Sequence, residues 1–138
     1  MTSIAVETTS FYADDRGWLL SQWGQNPGEN PSIVIDVSAF TAGTHYPNGF
    51  IASGEPLGKI TASSSGDKIV VGPYDDAAVD GRATCIGLLH SAVKVPDLSD
   101  TTKDTNGALV KCGFIKESRL PRAIDANGKA DLKLCDFS

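Results

Sequence analysis

The chain has 138 residues, a length that suits one domain with a modest core that association would strengthen. Its 14 glycines and 7 prolines are spread along the sequence, which shows no sustained 3.6-residue apolar period, so a long amphipathic helix is excluded and a mainly β protein is expected. The net charge of −5 is uneven, residues 1–60 holding six carboxylates against two basic side chains, and this argues against a phosphate-backbone partner, which requires clustered Lys and Arg.

Residues 1–30 are polar, carry the scattered aromatics Phe11, Tyr12, Trp18 and Trp23, and close on the turn-forming run Asn26-Pro27-Gly28-Glu29-Asn30-Pro31. They read as an N-terminal arm, partly flexible, ahead of a β-rich core domain of residues 31–138. Two placements are open for the tryptophans: against the domain's own core, or as anchors on a neighbouring subunit or partner. Residues 32–38 alternate, with Ile33, Ile35 and Val37 on one side, and predict a strand with a buried face. Residues 57–61 and 68–71 predict a strand pair, joined by the solvated loop Ala62-Ser63-Ser64-Ser65-Gly66-Asp67. Residues 75–82 predict a turn or short helix that Gly81 ends. Residues 85–95 and 108–115 are the longest mostly apolar runs and predict central strands covered on both faces. Residues 96–106, rich in Asp and Thr, predict a surface loop. Residues 127–134 predict a short C-terminal helix capped by Asn127.

The chemistry-bearing residues form few constellations. Cys85, Cys112 and Cys135 are an odd set without a Cys-x-x-Cys pair and read as free, mostly buried thiols. Cys85 as a nucleophile with His90 or His45 as base is the sharpest enzymatic idea. On one strand, however, Cys85 and His90 are an odd number of residues apart and point to opposite faces. His45, in Thr44-His45-Tyr46-Pro47, has the setting of an ordinary surface or turn residue. The cysteines and histidines lack close metal-ligand spacing, and the adjacent pairs Asp14-Asp15 and Asp75-Asp76 lack the alternating oxygen ligands of a calcium loop. The glycines of residues 49–58 match neither a P-loop nor a dinucleotide-binding pattern and read as turns and close strand crossings. No cofactor and no metal are expected, and no catalytic residues are assigned. No cationic leader followed by an apolar run and no membrane-length apolar segment occurs, so a cytoplasmic protein without a membrane partner is expected.

The order of motifs carries a resemblance. Phe50-Ile51-Ala52-Ser53-Gly54 leads into Leu57-Gly58-Lys59-Ile60-Thr61, then Gly72-Pro73-Tyr74-Asp75, Asp80-Gly81-Arg82-Ala83 and Gly87-Leu88-Leu89. Ala108-Leu109-Val110, Gly113-Phe114-Ile115 and Leu120-Pro121 follow. From Tyr12 to Pro121 the chain resembles the tailed-phage head decoration proteins of the lambda D type, and more closely the longer versions from phages of actinobacteria, whose starts are similar to Tyr12-Ala13-Asp14-Asp15-Arg16-x-Trp18-Leu19. The N-terminal region and the segment after Pro121 are longer than in the short lambda type. The resemblance implies a compact β-rich decoration-protein fold, a homotrimer, and a non-enzymatic role on the virion surface after assembly in the host cytoplasm. The major capsid protein is the implied partner, with no direct nucleic-acid contact. The implied capsid-binding arm includes Phe11, Tyr12, Asp14, Asp15, Arg16, Trp18 and Trp23, and it would add a strand to a capsid sheet. Two other readings stand beside this one: a small cysteine-dependent hydrolase, and a glycan- or protein-binding β module with Trp18 and Trp23 as its platform.

Overall fold

The strand predicted from the alternation of Ile33 and Ile35 forms as β1 (Ser32–Ile35) and gives way to a 3-10 turn at Val37–Ala39. Asp36 ends the strand: its carboxylate accepts the Ser38 N–H at 3.1 Å and caps the turn, while Val37 stays buried. The computed structural model describes residues 16–20 and 30–138. A short helix, α1 (Ala42–His45), then leads to β2 (Phe50–Ile51). The predicted strand pair forms as β3 (Pro56–Lys59) and β4 (Val70–Pro73), antiparallel, with Gly58 opposite Gly72. Within the connecting loop the Ser64 hydroxyl accepts the Val70 N–H at 2.9 Å and donates to the Ile60 carbonyl at 2.8 Å, so this polar loop is internally bonded.

Both long apolar runs break into two strands. Residues 85–95 give β5 (Cys85–Leu89) and β6 (Val93–Lys94), and β6 leaves the main sheet to pair with β2. Residues 108–115 give the end of β7 (Thr105–Val110), which starts two residues inside the expected surface loop of residues 96–106, and β8 (Gly113–Ile115), where Gly113 takes a φ of +135°. The order β1-β4-β3-β5-β7 closes into a barrel. Closure comes from β1, which lies parallel to β4 (Val34 opposite Val70) and antiparallel to β7 (Ile33 opposite Gly107). The protein is mainly β, as expected, with two short α-helices among the described residues.

Alternation along the barrel strands divides the apolar residues between two cores. Ile33, Ile35, Leu57, Val71, Leu89 and Leu109 belong to the first core, together with Phe40, Tyr46, Ile51 and Val95. Their strand neighbours Cys85, Leu88 and Val110 belong to a second core outside the barrel. β5 and the end of β7 are therefore apolar on both sides because both sides are covered. Trp18, Leu19, Ile115, Ile124 and Leu132 complete the second core.

The C-terminal segment supplies much of that cover. Its helix is α2 (Ala126–Asp131), and the cap is Asp125 rather than the expected Asn127: the Asp125 carboxylate accepts the Gly128 N–H at 2.7 Å and the Tyr74 hydroxyl at 2.7 Å. Asp131 accepts the Cys85 N–H at 3.0 Å, tying the end of the helix to the start of β5. The chain ends in β9 (Cys135–Phe137), parallel to β8. Residues 75–82 take the turn of the two alternatives expected there, with no helix.

Four barrel strands carry a glycine, and Gly58 shows why. A Cβ there would lie 2.6 Å from Cα of Arg82 and 2.7 Å from its carbonyl oxygen, both backbone atoms that cannot rotate away. Gly58 also adjoins the register shift between β3 and β5, a bulge of the sort that turns a strand around a small barrel. Gly58→Ala is expected to lower stability by about 1–3 kcal/mol, read as a lower urea midpoint with unchanged slope. An unchanged midpoint would show that the Arg82 backbone moves aside freely.

Candidate functional site

Residues 18–20 run along the edge of β8 left free by β9. Leu20 N–H donates to the Phe114 carbonyl at 2.9 Å and Lys116 N–H donates to the Trp18 carbonyl at 2.7 Å, which brackets the antiparallel bridge between Leu19 and Ile115. Leu19 and Ile115 are thus a closely spaced pair facing the second core, where Ile115 is fully buried. The opposite side of this pairing presents Leu20 and Phe114, each 51% exposed. Two large apolar side chains side by side on a solvated face are unusual for a small acidic domain, and Leu134, 60% exposed, precedes β9 in the same small sheet.

The root of this edge segment is flanked by three consecutive residues of the loop between β2 and β3. Ser53 accepts the Trp18 indole N–H at 3.0 Å and passes its own hydroxyl proton to the His90 carbonyl at 2.7 Å. Gly54, with a φ of +90°, lies flat against the indole: a Cβ there would come within 2.8 Å of Trp18 Nε1 and 3.0 Å of Pro121 Cδ. Glu55 pairs with Arg122, whose Nε lies 2.9 Å from Oε1. Two bonds fasten the ends of the anchor, from Arg16 Nη1 to the Ser91 hydroxyl at 2.8 Å and from Arg119 Nη1 to the Gly17 carbonyl at 3.1 Å.

Glu55 is the most unusual ionisable group in the described structure, being 2% exposed. Arg122 stabilises its charge, but removal from water outweighs the arginine, and the carboxyl is pushed up to about 7. His45 stands on the other side, with Nε2 at 3.9 Å from Oε1. The His45 Nδ1 accepts the Thr41 N–H at 2.8 Å, which leaves the neutral ring's proton on Nε2, toward Glu55. Burial, followed by the Arg122 charge, holds the imidazole below its ordinary range. The ring packs edge-on to Phe40 at 5.3 Å, so His45 is a packed residue and not the surface residue expected. Glu55, His45 and Arg122 line a cleft of about 160 Å³ together with Phe50 and Pro121.

Of the residues expected to form the arm, Arg16 and Trp18 are described, and Phe11, Tyr12, Asp14, Asp15 and Trp23 lie outside the described residues. Trp18 takes the first of its two placements: at 1% exposure it faces the protein's own core. Cys85 is buried, its Sγ donates to the Gly87 carbonyl at 3.6 Å, and burial pushes the thiol up to about 12. A thiol held that high is not a nucleophile at neutral pH. Cys112 and Cys135 are in no disulfide, and burial raises Cys135 to about 11. Among the described residues no three His, Cys, Asp or Glu side chains gather as metal ligands. The Asp75 carboxylate accepts the Ala77 N–H within its own turn, and that of Asp76 accepts the Asn127 amide from the C-terminal segment, both structural roles.

Sequence reasoning passed over Ser53, Glu55 and Arg122. A trace existed in Glu55, the one acid between Asp36 and Asp67, set between Gly54 and Pro56 in an apolar stretch. Nothing local marked Arg122 as its partner. No family model matches the chain, and no curated protein or solved structure is similar enough to count as a match.

Because the folded protein keeps a proton on Glu55 that the unfolded chain releases, stability falls as pH rises from 4.5 to about 7. The loss is about 3 kcal/mol across that window. His45 acts in the opposite sense, its contribution fading as pH drops below 6.5. Urea unfolding at pH 5 and pH 8 should therefore show the wild type losing about 3 kcal/mol more than Glu55→Gln on going to pH 8. Equal losses in the two proteins would mean that Glu55 titrates as an ordinary surface carboxylate.

Proposed function

We propose that the chain is a capsid decoration protein: a non-enzymatic virion component that binds the outside of an expanded phage head as a trimer and clamps neighbouring capsid subunits against the pressure of packaged DNA. The carrying observation is the edge formed by residues 18–20 on β8, with Leu20 and Phe114 exposed together on its outer face. Trp18, at the start of this edge, is bonded to Ser53 and buried in the second core, so a load on the segment before it would pass into that core and the barrel. Main-chain pairing by that segment with a partner sheet would supply affinity, and apolar side chains would supply specificity. Three copies on one trimer multiply the retention of each weak contact. The motif order from Tyr12 to Pro121 and the mainly β barrel agree with this reading. The buried, high-pKa Cys85 speaks against a cysteine hydrolase, and the buried Trp18 ring is not available as a glycan platform.

Sedimentation tests the proposal. The protein is expected to run as a trimer in analytical ultracentrifugation and to pellet with expanded, but not unexpanded, capsid shells of its phage. Leu20→Asp or Phe114→Asp should weaken shell binding roughly tenfold or more without altering the circular dichroism spectrum. A monomer that stays in the supernatant with every shell would contradict the reading.

A further inference from the structure

The loop between β2 and β3 joins two segments that have no sequence neighbourhood, the Trp18 root and the strap at Leu120, Pro121 and Arg122. Ser53 holds the indole N–H, Gly54 is wedged between the indole and Pro121, and Glu55 holds Arg122. Pro121 and Arg122 are adjacent, so the ion pair and the close approach of Pro121 to Gly54 fall on consecutive residues of the strap. The cluster also has a route to water: Arg122 is 36% exposed while Glu55 is 2% exposed, and both line the open cleft beside His45.

We propose that Glu55, Arg122 and His45 form a proton-operated clasp, in which proton uptake by the Glu55 carboxyl frees the Arg122 guanidinium toward solvent and loosens the strap over Trp18. The charge balance is simple. A proton from solvent joins a carboxylate oxygen, the buried negative charge disappears, and the half-exposed guanidinium loses the attraction that drew it inward. The groups facing Glu55 are Arg122 from the C-terminal segment and His45 from α1, with Arg82 acting on His45 from the turn before β5. His90 supplies a carbonyl to Ser53, and its ring nitrogen Nδ1 lies 2.9 Å from the Ser91 hydroxyl. Since Glu55 titrates near 7, the clasp would work around neutrality. The inference concerns this chain's own packing and stands independently of the capsid reading.

Nitrogen-15 NMR of the full chain between pH 4.5 and 8.5 tests it, with Trp23→Phe used to assign the Trp18 indole. The Trp18 Nε1–H and Arg122 Nε–H signals should shift together with one midpoint near 7. That midpoint should persist in His45→Asn and His90→Asn and vanish from both signals in Glu55→Gln. Arg122→Gln serves as the second variant, since it removes the strap's handle: the Trp18 signal should then stay flat even though Glu55 is present. The clasp is overturned if Trp18 stays flat in the wild type, if its midpoint falls in the ordinary carboxylate range, if a histidine variant abolishes the shift, or if either Glu55→Gln or Arg122→Gln leaves it unchanged.

Discussion

Closure of the barrel by β1 is the constraint on which the other features rest. β1 must hydrogen-bond β4 in parallel and β7 antiparallel at once, which leaves the five-strand ring without a free edge. So small a ring has little interior. The first core is filled by one inward side chain per strand position, and backbones pass so closely that glycine is required at points such as Gly58. The outward side chains of β5 and β7 are then apolar and need a cover, because Cys85, Leu88 and Val110 cannot face water without cost. Trp18, Leu19, Ile124 and Leu132 provide it from the two ends of the chain. The N-terminal and C-terminal segments thus meet on one side of the barrel, and the loop at residues 53–55 lies where they meet.

That meeting place explains why an acid is buried there. An ion pair taken out of water gains little net stability, and at Glu55 the desolvation outweighs the attraction of Arg122. The pair contributes position instead. Arg122 follows Pro121, whose Cδ lies close to Gly54 beside the indole. Shared use of Oε1 by Arg122 and His45 makes one carboxylate the junction of α1, the β2–β3 loop and the C-terminal segment.

Local periodicity made β1 and the β3–β4 hairpin legible, since alternation and a polar loop are properties of neighbouring residues. The barrel was not legible, because the parallel pairing of β1 with β4 depends on contacts between distant segments. The apolar runs at residues 85–95 and 108–115 announced burial on two faces but not their interruptions, where β6 turns away to β2 and Gly113 redirects β8. The helix near the C-terminus was visible, yet its cap moved to Asp125, whose carboxylate is also engaged by Tyr74. Trp18 offered no local basis for choosing between core and partner, as its environment is made by Ser53, Gly54 and Pro121. Glu55 carried a faint signal and Arg122 none.

A clamp needs a stiff body, a root that transmits load and a face that meets its partner. Under the proposed function, the closed barrel would be the body, Trp18 with residues 53–55 the root, and the Leu20–Phe114 face the contact surface. Cryo-electron microscopy of the decorated phage head tests this account most directly. The account predicts trimeric protrusions at the three-fold and quasi-three-fold positions, with the edge formed by residues 18–20 and β8 turned down onto the capsid floor. A head without such protrusions, or one in which Leu20 and Phe114 point outward into solvent, would contradict it.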